Sequence, residues 1–283
     1  MGSPEEPRRL LFNADQTRIV EANYRSSSID IWDCSAPDGS LKFIKSLSCP
    51  GQPSPGRKHH RPHQAVLDPT GRYFVAPNLG GDTSPALDSE NDLFEIVNSF
   101  SVPTAVGPRH VRFIMCDNRI FLTMAGELSN EIYLYEVIYV QGHLDFIEYD
   151  RLSSYGNQPP ADPSKAALAE LLVANNQRDI YVSNRNTGEP TDHIAHFYFN
   201  TQPKVRLDYV GRTSSGGLGP RTMALCNDEE EKFLFVGNEA GEFGFVALLR
   251  NTLTGVLDPN PVATLKNSEL IALGHSEDKI KGP

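Results

Sequence analysis

The chain has 283 residues, 39% of them hydrophobic, with 22 glycines, 21 prolines and a formal charge of −10. That is ample material for a sizeable, turn-rich core, and the acidic balance argues against a nucleic-acid or anionic-membrane surface. No apolar run is long enough to span a bilayer and no charged-then-apolar leader opens the chain, so the expectation is a soluble, cytoplasmic protein. Cys34, Cys49, Cys116 and Cys226 lie far apart without metal-type spacing, which reads as buried free thiols in a reducing compartment.

Residues 1–9 are polar and expected to be disordered or a frayed edge, leaving 10–283 as a single domain. RRLLFNADQTRIVEANYRSSSIDIWDC then alternates apolar and polar positions as short strands do, and Asp38-Gly39 marks a hairpin before LKFIKSL. Cys49 to Arg61 is a Pro/Gly loop with a basic end, long enough to lie over one face of the fold. HQAVLDPTGRYFVAPNLGGD repeats the pattern, with a ragged outer part ending near Phe100. The stretch from Gly107 to Val137 is a third copy, a meander of three strands. A polar insertion, SSYGNQPPADPSKAALAE, is placed on the surface and ends in a predicted helical turn at Lys165 to Glu170. Copies beginning at Leu168 and Pro220 follow, and the tail from Asp258 has only weak strand character.

Each of the five copies has an apolar run, a polar turn (Asp15, Asp68, Asp117, Asn176, Asp228) and a second run ending in a polar residue. Those residues, Asn23, Asn78, Glu127, Asn184 and Asn238, recur at roughly 50–57 residues, close to the period of a four-stranded propeller blade. The fold class is therefore all-β, a β-propeller with five clear blade repeats.

In a propeller the inner strand ends of different blades converge on one face, so distant residues can share a pocket. The candidates are His63 at the start of the second copy, Arg109 and Glu127 in the third, Arg185 in the fourth and Arg221 at the start of the fifth. One histidine, one carboxylate and several guanidiniums make an acid/base set with clamps for a small anionic substrate. Plainer readings stand beside each. His63 in HHRPH can be a solvated loop histidine, and no second ligand cluster supports a metal. Arg109 and Arg221 both follow a Gly-Pro and can be structural, and Arg185 can pair with Asp179 or Glu189 at the surface. Glu127 stands where the sister copies carry Asn, so it breaks its own repeat; a loop glutamate is the plain alternative.

PHQAVLDPTGRYFVAPNLGGD, GPRHVRF followed by Glu127-Leu128, YVSNR, and PRTMAL with FLFVGNE together resemble the seven-bladed lactonase, or cycloisomerase 2, propeller family. That family includes fungal carboxy-cis,cis-muconate lactonizing enzyme and bacterial 6-phosphogluconolactonase. The resemblance spans about Leu10 to Leu257 and favours the fungal members, which implies a chain shortened at the N-terminus relative to seven blades. It implies His63, Glu127, Arg109 and Arg185 as catalytic residues. Asn78, standing where the fungal signature has an acid, and Arg221 are the further substrate-binding candidates. It also implies no metal and no cofactor. The activity expected from it is lactone formation on a carboxymuconate-like substrate. The alternatives are sugar-lactone hydrolysis of the 6-phosphogluconolactonase kind and a non-catalytic binding scaffold.

Overall fold

Five antiparallel four-stranded meanders follow one another along the chain, and the computed structural model describes residues 7–272. The first sheet contains β1 (Pro7–Phe12), β2 (Arg18–Asn23), β3 (Ser28–Asp33) and β4 (Lys42–Ser48). The second contains β5 (Val66–Leu67), β6 (Tyr73–Val75), β7 (Thr83–Asp88) and β8 (Glu95–Ser101). The third is β9 (Pro108–Cys116), β10 (Arg119–Gly126), β11 (Glu131–Val140) and β12 (His143–Ser153). The fourth is β13 (Ala167–Val173), β14 (Asp179–Arg185), β15 (His193–Asn200) and β16 (Arg206–Ser214). The fifth is β17 (Leu218–Leu225), β18 (Phe233–Ala240), β19 (Phe243–Leu249) and β20 (Ala263–Lys266), with a short helix α1 (Asn267–Ala272) after it.

The polar turns expected from the sequence close the first hairpins by side-chain acceptance of backbone N–H groups. Asp68 accepts from Thr70 at 3.1 Å, Arg72 at 3.0 Å and Tyr73 at 2.7 Å. Asn176 accepts from Arg178 at 2.9 Å and Asp179 at 3.0 Å. Burial falls from the second strand of a sheet to the fourth: every residue of β6 and β14 is buried, whereas β4 is largely exposed.

Two compact units contain these sheets, one holding residues 7–129 and 135–148, the other 130–134 and 149–272. In the first, Val20, Ile29 and Ile31 pack with Phe74, Leu87 and Phe94. In the second, Tyr181 and Ile194 pack with Leu234, Val236, Val246 and Leu248. Each fully buried side chain of this size contributes about 1.5–3 kcal/mol.

Four details depart from the sequence reading. Residues 1–6 lie outside the described residues, and Pro7 to Arg9, read as disordered or a frayed edge, belong to β1. No helical turn forms at Lys165 to Glu170, because Ala167 onward pairs with β14 as β13. The tail supplies β20, the fourth strand of the fifth sheet, because Ala263 to Lys266 pair with β19. All four cysteines are free, but only Cys49 and Cys116 are buried; Cys34 and Cys226 are half-buried. No helix among the described residues is long and apolar enough to cross a membrane.

The most consequential departure is one of register. In every sheet the first strand carries one residue more than its partner at the same place. Pro108 faces Gly126 while His110 faces Ala125, so Arg109 is the extra residue of a bulge. Pro220 faces Asn238 while Thr222 faces Gly237, which makes Arg221 the extra residue there. Pro62 bridges Asn78 before Val66 pairs with Val75, and Pro7 faces Asn23 before Arg9 pairs with Ala22. Leu168 faces Asn184 before Leu171 faces Val182. A bulge bends the strand and re-aims the side chain it carries.

Candidate active site

The register re-aligns the repeat and corrects the reading of Glu127. Gly126, not Glu127, occupies the position of Asn23, Asn78, Asn184 and Asn238. Glu127 is one residue further, equivalent to Tyr24, Leu79, Arg185 and Glu239. The repeated asparagines tie their strands to neighbouring segments of the chain. Asn184 accepts from Ser154 Oγ at 2.5 Å, and Asn238 donates to the carbonyls of Ser215 and Phe243 at 2.9 and 3.0 Å. The variable chemistry sits on the residue after them.

In the first unit this places Arg109 and Glu127 against each other. The Arg109 guanidinium, 4% exposed, donates to the Glu127 carboxylate, 17% exposed. Their backbones are fixed as well, because Glu127 N–H donates to the Gly107 carbonyl at 2.9 Å. Beside Arg109, His110 is buried, and its ring meets the His63 ring edge-on with centroids 5.0 Å apart. Tyr24 also packs edge-on with His63, at 5.7 Å. Tyr24 is in turn bonded by Arg61, whose Nη1 donates to its hydroxyl at 2.6 Å.

His63 is therefore no solvated loop histidine: it is buried, with its N–H donated to the Pro77 carbonyl at 2.9 Å. The three histidines of HHRPH have different surroundings, since His59 is exposed and His60 accompanies Asn78. Among the described residues, no three His, Cys, Asp or Glu side chains gather as a metal would require.

Asn78 is fully buried, and both ends of its amide are used within the protein. Its Oδ1 accepts from Arg61 N–H at 2.8 Å, and its Nδ2 lies 2.9 Å from His60 Nδ1 and 3.1 Å from Thr83 Oγ1. These bonds pin the 51–62 loop to the turn after β6, and Ser54 N–H to the Gly80 carbonyl at 3.0 Å adds to them. The loop comes so close that a Cβ on Gly80 would collide with the His59 carbonyl oxygen. Asn78 thus holds a loop in place.

The second unit contains Arg185 and Arg221. Arg185 is buried at the end of β14, and its Nη2 donates to the Leu168 carbonyl at 3.3 Å. The surface partners weighed for it are engaged elsewhere: Glu189 with Arg212 at 2.8 Å, and Asp179 with His196 at 2.8 Å and Arg250 at 2.6 Å. Arg221 pairs with Glu239 at 2.7 Å, the two side chains 31% and 27% exposed. It repeats the Arg109–Glu127 arrangement at the surface rather than in the interior.

Tyr24 and His110 are the members of the first-unit cluster that the sequence reading left unassigned. Tyr24 carries a readable signal, because it follows the first asparagine of the repeat as Glu127 follows Gly126. His110 has none, because its neighbour across the sheets is set by packing rather than spacing.

The family model described as lactonase, 7-bladed beta-propeller matches residues 2–265. The chain belongs to this family. A protein of Arthroderma benhamiae described as "Probable 6-phosphogluconolactonase" is 29% identical over 185 residues, covering 63% of this lactonase-family chain and 45% of the relative. The chain thus spans less than half of that relative's length. The structure of a periplasmic gluconolactonase from Pseudomonas aeruginosa superposes with a TM-score of 0.75 at 22% identity, covering 92% of this chain and 70% of the other. A protein of Lactobacillus plantarum superposes at 0.76 with 21% identity, covering 92% and 72%. Both likenesses are of fold.

Proposed function

We propose that this lactonase-family chain opens a lactone of a small, hydroxyl-bearing acid by metal-independent hydrolysis. The observation that carries the reading is the enclosed pair of Arg109, on the bulge of β9, and Glu127, just after β10, set beside His110 and His63. A carboxylate held by a guanidinium, with an imidazole nearby, is a set suited to moving one proton and stabilising one developing negative charge.

Glu127 takes a proton from water as the water oxygen bonds to the lactone carbonyl carbon. The negative charge that develops on the carbonyl oxygen is met by the Arg109 guanidinium. The tetrahedral intermediate collapses, the ring C–O bond breaks, and the ring oxygen leaves with the proton returned by Glu127. The product is the open hydroxy acid. His63 orients the ring oxygen by hydrogen bonding.

The names of the relatives support opening over closing. The Arthroderma protein is named for 6-phosphogluconolactone and the Pseudomonas structure for a gluconolactone, which moves the balance from a muconate cyclase towards a sugar-lactone hydrolase. The test is acid release from 6-phosphogluconolactone, δ-gluconolactone and carboxymuconolactone by wild type and Glu127→Gln. Wild type is expected to hydrolyse a sugar lactone, with Glu127→Gln roughly 10²- to 10⁴-fold slower. Equal rates remove Glu127 from the mechanism, and turnover confined to the muconate substrate restores the cyclase reading.

A further inference from the structure

Asp82 has no place in the chemistry above, yet the backbone that carries Arg109 and Glu127 hangs on it. The residue is buried at 3% exposure, with φ of 48°. Its Oδ2 accepts the N–H of Ala105 at 2.9 Å, and its Oδ1 accepts the N–H of Gly107 at 2.7 Å. Arg57 lies 3.9 Å from Oδ1. Ala105 and Gly107 both have left-handed backbones, at φ of 69° and 64°, and at Ala105, where a side chain resists that conformation, this carboxylate braces it.

The turn at 105–107 bonds forward to the glutamate. The Gly107 carbonyl accepts Glu127 N–H at 2.9 Å, and the Val106 carbonyl accepts Leu128 N–H at 3.1 Å. Pro108, with its fixed φ, then leads directly into Arg109. Asp82 therefore sits one turn of backbone away from both members of the pair and sets where both begin.

We propose that Asp82 is the positioning residue of the Arg109–Glu127 pair, fixing the turn at 105–107 so that guanidinium and carboxylate meet. The inference rests on the hydrolase reading for its kinetic consequence, but the geometric claim is independent of it. A carboxylate is needed because both of its oxygens accept; an amide in the same place would turn an NH₂ towards one of the two N–H donors.

The second unit contains the matching control. Asp192 is buried, accepting Gly219 N–H at 2.7 Å, Asn186 N–H at 3.1 Å and Thr187 N–H at 2.9 Å. Gly219, at φ of 65°, precedes Pro220 and the more exposed Arg221–Glu239 pair. One device thus occurs twice, once ahead of the interior pair and once ahead of the surface pair.

The experiment compares Asp82→Asn with Asp192→Asn, reading thermal unfolding, kcat and KM on the lactone that wild type opens, and the NMR resonances of the arginine Nε–Hε groups. Both variants are expected to lose thermal stability. Only Asp82→Asn is expected to lower kcat, by roughly 10- to 100-fold with KM little changed, and only it moves the Arg109 resonance. Asp192→Asn moves that of Arg221. Should Asp82→Asn fail to fold, Asp82→Glu, with its acceptors one methylene further out, serves in its place. Equal loss of kcat in the two variants, or an unmoved Arg109 resonance in a folded position-82 variant, overturns the proposal. A wild type that opens no lactone defeats the hydrolase reading instead, and the Arg109 resonance alone then decides the role of Asp82.

Discussion

Arg109 donates to Glu127 from the extra residue of a bulge, and Arg221 does the same to Glu239 across an equal spacing of 18 residues. The difference between the pairs is burial: Arg109 is 4% exposed and Arg221 31%. Coulombic interaction and directional hydrogen bonding both gain as water is excluded.

Replacing Arg109 with lysine keeps the charge but loses the planar fork that faces the carboxylate. Arg109→Lys is expected to lower kcat/KM on the order of 10²-fold. The same change at Arg221, in a half-exposed pair, is expected to alter stability by less than about 1 kcal/mol. Steady-state kinetics and urea unfolding of both variants check this.

Gly107 meets two restrictions at once. Its φ is 64°, and a Cβ there would lie 2.8 Å from Leu128 Cγ. Gly107→Ala is expected to cost about 1–3 kcal/mol and to slow turnover, because the backbone that carries Glu127 must shift. Gly142 has φ of 84°, but a Cβ added there would meet nothing within 4 Å. Gly142→Ala is therefore expected to cost only the conformational part, about 1 kcal/mol, without affecting turnover.

A buried network stabilises the second unit. Asp179 bonds His196 at 2.8 Å, Arg250 at 2.6 Å and Asn176 at 2.7 Å, and Arg250 Nε donates to the Tyr181 hydroxyl at 2.8 Å. Removing one partner leaves the other charge enclosed, so Arg250→Met is expected to cost about 3–5 kcal/mol. Burial works against the Asp179 carboxylate, but its hydrogen bonds from His196, Asn176 and Arg250 outweigh it and hold its pKa below the ordinary 3.8. The stability it contributes is present above that value and is lost as pH falls through the lower folded value. Chemical denaturation of wild type and Arg250→Met across acid pH checks both statements.

His193 acts in a different pH window. It is buried, its ring meeting that of Tyr155 edge-on at 5.2 Å, and burial, with Arg212 nearby, lowers its pKa from 6.5 to about 4. As pH falls below 6.5 the unfolded chain takes a proton that the folded one refuses until about 4. Stability therefore falls over that window, by roughly 2–4 kcal/mol in all. In His193→Phe this slope is expected to be absent. Unfolding free energies of the two proteins between about pH 4 and 7 give the comparison.

The sheets were legible because a strand with one buried face writes itself into every second residue, and Asp or Asn marks the turns. Asp68 and Asn176 do in the structure what their positions in the sequence imply. The site was less legible for a geometric reason. Counting residues placed Glu127 on the asparagine row, whereas pairing with Pro108 puts Gly126 there. The turn expected at Lys165 to Glu170 was misread because its alanines suit a helix as isolated residues, while pairing with β14 draws them into a strand. The tail was undervalued because β20 has only four residues and gains its strand state from β19. The packing of His63 on His110 has no local pattern to read.

The one-residue bulge recurs in all five sheets, at the same place in each. A residue introduced at such a place needs no new loop to aim it. A single codon can therefore replace one reactive group with another on unchanged scaffolding, so members of such a lineage can exchange ligands while keeping their architecture.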